Sequence, residues 1–188
     1  MKITAIAALV WMTGTVANGE PKVEAARKVI VCIEGMGIPG VAGAGPKAKT
    51  LASRIFSGIG VTIEWRRGLR GCPAQGIQVS LTQDTPVSLN PGALAYALPY
   101  DGTHIHVFFD RIKQASDGTQ VPIVLGHVLV HEITHILQAI TRHSASGIMK
   151  AHWNREDYGN MRGKPLGFEA HDIDLIYLGL AGRAANAT

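Results

Sequence analysis

From Pro122 to about Ile140 the chain reads PIVLGHVLVHEITHILQAI, apolar on nearly every side of a helical projection. A helix of that kind has no face to offer water, so it belongs at the centre of a domain with other elements wrapped around it. Its second half carries HEITH. His131 and His135 at i and i+4 lie on one face, about one turn apart, so both imidazoles can grip one metal ion, and Glu132 lies beside them. With eight His and seven Glu in 188 residues, an accidental HExxH turns up in roughly 1% of such chains.

This spacing is the layout of a zinc hydrolase. A catalytic zinc keeps three protein ligands and an open fourth position, so one ligand must come from outside the pentapeptide. The candidates are His143, His127, His152, Glu156 and Glu169. His127 sits one turn before His131, and three ligands along one straight helix would span about 12 Å of rise, so it is read as packed near the site. His143 is equally remote if the helix runs on. The β-branched Ile140 and Thr141, followed by Ser144, Ser146 and Gly147, predict a stop near residues 140–142 that folds His143 back. His143 is therefore the expected third ligand, with Glu156 or Glu169 as the alternatives.

The N-terminal MKITAIAALVWMTGTVANGE has one cation, Lys2, then an uncharged stretch from Ile3 to Ala17 ending in small residues. That is the pattern of an export signal cut near Ala17. The run is shorter than the roughly 20 residues of a spanning helix, so no stable membrane insertion is expected after cleavage, and the product is secreted or periplasmic. Residues 18–27 read as a short polar leader, and residues 28–188 as one domain. Without Lys2 the net charge falls from +4 to +3. The basic residues form neither a long run nor a set interleaved with aromatics, which excludes a nucleic-acid footprint. Cys32 and Cys72 are the only cysteines. Export favours a disulfide between them, while the apolar surroundings of Cys32 also suit a free buried thiol. Neither has a metal-binding partner at short spacing, which excludes a zinc ribbon.

Along the chain, KVIVCIE (28–34) predicts a buried strand and MGIPGVAGAG a flexible connection, since it lacks the lysine ending of a phosphate loop. A helix is expected over 47–57, stopped by Gly58. Alternation in VTIEW (61–65) and GIQVSLTQ (76–83) predicts two more strands. ALAYALPY and HIHVFFD flank Asp101 and Gly102, a hairpin with Ile105, Val107 and Phe109 facing the core. His104 and His106 leave its other face together, at an exposed or rim position. The stretch 150–165 reads as irregular, and Phe168 to about Gly182 as a closing helix with Phe168, Ile173, Ile176, Tyr177 and Leu180 inward.

The order HExxH, then His143-Ser144, then Gly147-Ile148-Met149 resembles the metzincin clan of zinc metalloproteases, whose pattern is HExxHxxGxxH with a later methionine turn. It is also similar to a group of uncharacterised secreted bacterial proteins with HExxH, His-Ser and Gly-Ile-Met. His131, Glu132 and His135 match, His143 takes the third-ligand place and Met149 the methionine turn. The clan's glycine would fall at Gln138 and its third histidine at Thr141, so the loop here is two residues longer. The resemblance implies an α+β zincin domain: a mixed twisted sheet, an active-site helix, a methionine-turn loop and a C-terminal helix. It implies a zinc cofactor, a peptide or protein substrate, and hydrolysis with Glu132 as general base. The substrate is expected along an edge strand of the hairpin Leu94 to Asp110. Trp153, Tyr158 and His152 either line a pocket or pack. The competing function is a non-catalytic secreted binding domain on the same fold, with structural zinc or none.

Overall fold

The computed structural model describes residues 27–86, 92–100 and 103–186. The export signal, the leader up to residue 26 and the Asp101–Gly102 turn lie outside the described residues. Among the described residues, five strands form one sheet in the order β2-β1-β3-β5-β4. They are β1 (Lys28–Glu34), β2 (Thr62–Arg67), β3 (Ile77–Thr82), β4 (Ala95–Leu98) and β5 (His104–Phe108). All run parallel except β4, which pairs antiparallel with β5 from Ala95↔Val107 to Leu98↔His104 at the sheet edge. The expected hairpin pairing is present.

Alternation explains the layering. Ile77, Val79 and Leu81 of β3, with Val31 and Ile33 of β1 and Ile105 and Val107 of β5, are buried on one face. Polar Gln78, Ser80, His104 and His106 take the other, in register with one another. The apolar face is covered by α1 (Val41–Ser57) and α3 (Val121–Gln138), which pack along each other. Short α2 (Phe109–Ala115) follows β5 directly; α4 (Arg155–Gly163) and α5 (Ala170–Ala185) complete the fold.

Three elements differ from expectation. α1 begins inside the glycine-rich stretch, at Val41 rather than Lys47, and Met36 packs on its first turns so closely that a Cβ on Gly45 would lie 2.3 Å from the Met36 methyl. The missing side chain lets the connection from β1 fold onto the first turns. Phe109 is buried as expected, but from the start of α2 rather than from the strand. The supposedly irregular segment holds α4, opened by a reciprocal cap in which Asn154 accepts from the Asp157 amide and Asp157 from the Asn154 amide.

Every residue of α3 from Val124 to Gln138 is buried. The helix is long and apolar enough to cross a membrane, yet it is a core helix enclosed by the protein. Asp117 prepares its start by accepting from the Thr119 and Gln120 amides. Glycines admit its neighbours closely: a Cβ on Gly126 would stand 2.8 Å from Leu51 Cδ2 of α1, and one on Gly179 of α5 only 1.6 Å from the Leu137 carbonyl oxygen. A Cys32–Cys72 disulfide fastens β1 to the loop after β2.

Candidate metal centre and cleft

α3 stops at Gln138 because Ala139 takes the left-handed conformation, φ 53° and ψ 30°. Among the described residues it is the only non-glycine with positive φ. The break comes a residue or more earlier than the β-branched pair suggested. Side chains then meet the reversed backbone: His135 Nδ1 donates to the Ile140 carbonyl at 3.0 Å, and His131 Nδ1 to the Ile148 carbonyl at 2.8 Å. The Ser144 amide donates to the Met149 carbonyl at 2.8 Å.

This turn brings His143 alongside the helical pair. One ring nitrogen from each of His131, His135 and His143 lies within 4.8 Å of the other two, and His131 Nε2 is 3.0 Å from His135 Nε2. A carbonyl only accepts, so in both helical histidines the ring proton is on Nδ1 and Nε2 carries a lone pair. Two lone pairs facing each other at 3.0 Å repel unless a cation lies between them. Zinc–nitrogen bonds of about 2.0–2.1 Å at a tetrahedral angle put the nitrogens about 3.3 Å apart. The donor set therefore fits a zinc ion.

Burial sets the electrostatics. It lowers His131 to a pKa of about 3 and His135 to about 4, with the neighbouring histidine adding to the effect. His143, more exposed, is lowered by partial burial and by His152. Glu132, 8% exposed, is pushed up to about 8 by loss of hydration alone. Among the described residues its carboxyl makes no hydrogen bond or ion pair.

The remaining candidates are placed elsewhere. His127 is wholly buried, donates from Nδ1 to the Ile123 carbonyl at 2.8 Å and accepts the Leu166 amide on Nε2 at 3.0 Å, so neither nitrogen is free. Glu169 accepts the Ser146 amide and hydroxyl, each at 2.8 Å. Glu156 is exposed in the first turn of α4, outside the three-histidine group. His104 bonds Thr103, and His106 stacks on Tyr96 with ring centroids 4.9 Å apart. Met149 is fully buried in the core beside Ile148.

The three histidines and Glu132 open onto a cleft of about 350 Å³. One side is Gly92 to Ala97, including most of β4; the other is Lys150 to Trp153 with Tyr158. Trp153 stands edge-on to His131 at 5.7 Å and to Tyr158 at 6.4 Å, so it both lines the cleft and packs the ligand-bearing helix. Asp172 was not singled out by the sequence. It is fully buried and accepts from Arg142 Nη1 at 2.9 Å and Ser144 Oγ at 2.6 Å, the two residues flanking His143. The local signal was its place three residues after the helix cap Glu169.

No family model matches the sequence, and no curated protein matches it. Among solved structures, archaemetzincin from Methanopyrus kandleri is similar, with a TM-score of 0.56 over 82% of this chain and 97% of that one, at 15% identity. At that identity the likeness speaks for architecture: the chain has a zincin-like α+β fold.

Proposed function

We propose that this protein is a zinc-dependent metallopeptidase that works outside the cytoplasm. The observation that carries the reading is the meeting of three imidazoles, two with their ring protons committed to carbonyls, beside a buried carboxyl that has no protein partner. His131, His135 and His143 would hold the ion, leaving a fourth position towards the cleft. When bound, zinc would supply an acidified water and a Lewis acid for the scissile carbonyl.

The chain's own groups do the rest. Glu132 is the general base, taking the proton from the attacking water and returning it to the leaving amine. Its metal-free pKa of about 8 is an upper limit, because a cation held by the adjacent imidazoles favours the ionised form. The Ile140 and Ile148 carbonyls fix the tautomer and orientation of the two helical ligands. Met149 has the methionine-turn role, anchoring in the core the loop that carries the Ile148 carbonyl. β4 lies at the sheet edge beside the cleft, and an extended peptide would pair with it as an added strand. The uncharged N-terminal run and the disulfide support export. A non-catalytic domain with structural zinc would have no use for Glu132 or for an open cleft.

The test is metal analysis of the purified mature protein together with Glu132→Gln. Stoichiometric zinc is expected, along with a fall in peptide cleavage of about 10²–10⁴-fold in the variant while its zinc is kept. Absence of zinc, or undiminished cleavage by Glu132→Gln, would sink the reading.

A further inference from the structure

His131 and His135 are held twice, by the helix and by a carbonyl on Nδ1. His143 has neither support. It sits beyond the helix break, and its ring makes no hydrogen bond among the described residues. Its position is therefore only as good as the turn that carries it, and that turn has little regular backbone bonding of its own.

We infer that Asp172, on the closing helix α5, is the positioning residue of the third metal ligand, acting as a clamp on both sides of His143. Oδ1 receives Arg142 Nη1 and Ser144 Oγ, and those two donors are 3.2 Å from each other. The main-chain carbonyl of Asp172 accepts Gln138 Nε2 at 3.1 Å, so the same residue grips the last turn of α3 before the break. One residue thus spans positions 138, 142 and 144. Capping α5 does not account for this arrangement. The cap uses Oδ2, which accepts the Glu169 amide at 3.1 Å, while Oδ1 is given over to the His143 turn. A wholly buried carboxylate is costly to keep unless its charge and lone pairs are all used, and here they serve residues 28 and 30 positions away. Glu169 adds a fourth tether, at Ser146.

The consequence for metal binding rests on the zinc reading above; the clamp itself rests on the hydrogen bonds. The experiment separates the two. Asp172→Asn is compared with wild type and with Arg162→Ala, which breaks only an exposed ion pair with Asp117. In metal-free protein, the peptide spanning residues 140–149 should exchange its amide hydrogens about tenfold faster in Asp172→Asn and at the wild-type rate in Arg162→Ala. Zinc affinity, measured against a chelating dye, should fall about 10–100-fold in Asp172→Asn, and the visible spectrum of the cobalt-substituted protein should change. If Asp172→Asn does not fold, Ser144→Ala and Arg142→Gln, each removing one arm, should shift both readouts in the same direction. Unchanged zinc affinity and cobalt spectrum overturn the assignment even if the protein is less stable, because a merely structural residue would give that result. A wild-type protein without stoichiometric zinc would sink the peptidase reading, and the clamp would still stand or fall on the exchange of residues 140–149.

Discussion

At the scale of single residues, burial gives the metal-free protein two opposed responses to pH. His127, His131, His135 and His143 are all lowered from the ordinary 6.5, chiefly by desolvation. The unfolded chain takes protons near 6.5 that the folded chain refuses, so stability present above that pH is lost as pH falls. Glu132 acts oppositely. Folded, it keeps its proton up to about 8, whereas unfolded it releases it near the ordinary 4.5, so its contribution is lost as pH rises through that window. Four histidines outweigh one glutamate below 6.5, and the glutamate acts alone above it. The melting temperature of the chelator-treated protein should therefore peak between about pH 6 and 7, and Glu132→Gln should flatten the alkaline limb. A melting temperature that still climbs from pH 7 to 8 would contradict this. The same residues show what the sequence could reveal. His131, Glu132 and His135 were legible because an i, i+4 spacing is a local fact. His143 needed an argument about a helix break. Asp172 was invisible because its partners are brought to it only by the fold.

At the scale of elements, the break after α3 depends on one alanine in a conformation that costs an L-residue about 1–2 kcal/mol. Glycine removes that cost but loses about 0.5–1 kcal/mol of backbone entropy. Ala139→Gly should thus stabilise by on the order of 0.5 kcal/mol, and Ala139→Val, β-branched where φ is 53°, should destabilise by about 1 kcal/mol or more. Denaturant titration of the three proteins checks the order. The two close glycines should differ as well. Gly126→Ala meets the flexible end of Leu51 at 2.8 Å but also the Ala48 carbonyl oxygen at 3.1 Å and Leu51 Cβ at 3.2 Å, a tightness of a few tenths of an ångström set against up to about 1 kcal/mol of helix propensity. Gly179→Ala meets backbone at 1.6 Å, so α5 must move, at about 3 kcal/mol or more. Equal losses would contradict the packing described. Elements with strong alternation, such as β3, were readable in advance. The first turns of α1 were not, because Gly43 and Gly45 look like linker until Met36 is seen against Gly45. α4 was overlooked although Asn154 and Asp157 already spelled its cap.

At the scale of the whole molecule, the sheet order is the least local property and the one the sequence did not carry. β1 lies between β2 and β3, and β5 joins β3 before β4 closes the edge. Nothing in strand composition says so. The disulfide is the long-range link that composition left undecided, and the fold brings its two cysteines together across 40 residues. Closing a loop of that size restricts the unfolded chain by about 4 kcal/mol in the chain-entropy account. Cys72→Ser, or reduction, should lower the melting temperature by on the order of 10 °C; a shift below about 2 °C would mean that the crosslink adds little.

The glycine contacts on α3 bear on how a substrate gets in. With α1 packed closely at Gly126 and α5 at Gly179, the ligand-bearing helix is held on two sides, and it forms the floor of the cleft. The facing wall, residues 150–164, is braced internally by the Lys150–Asp157 ion pair and held to the rest by the exposed Arg162–Asp117 pair, one bond from Gln120 to the Tyr158 carbonyl, and the packing of Trp153, Tyr158 and Met161 on the core. Hydrogen exchange is predicted to be faster in that wall than in α3, and equal protection of the two would argue against a yielding wall. On the peptidase reading proposed above, a yielding wall over a fixed floor would put admission and chemistry in different parts of the molecule: a thick or folded chain would be sorted by how far the wall gives way, while the reacting groups keep the positions they took at folding.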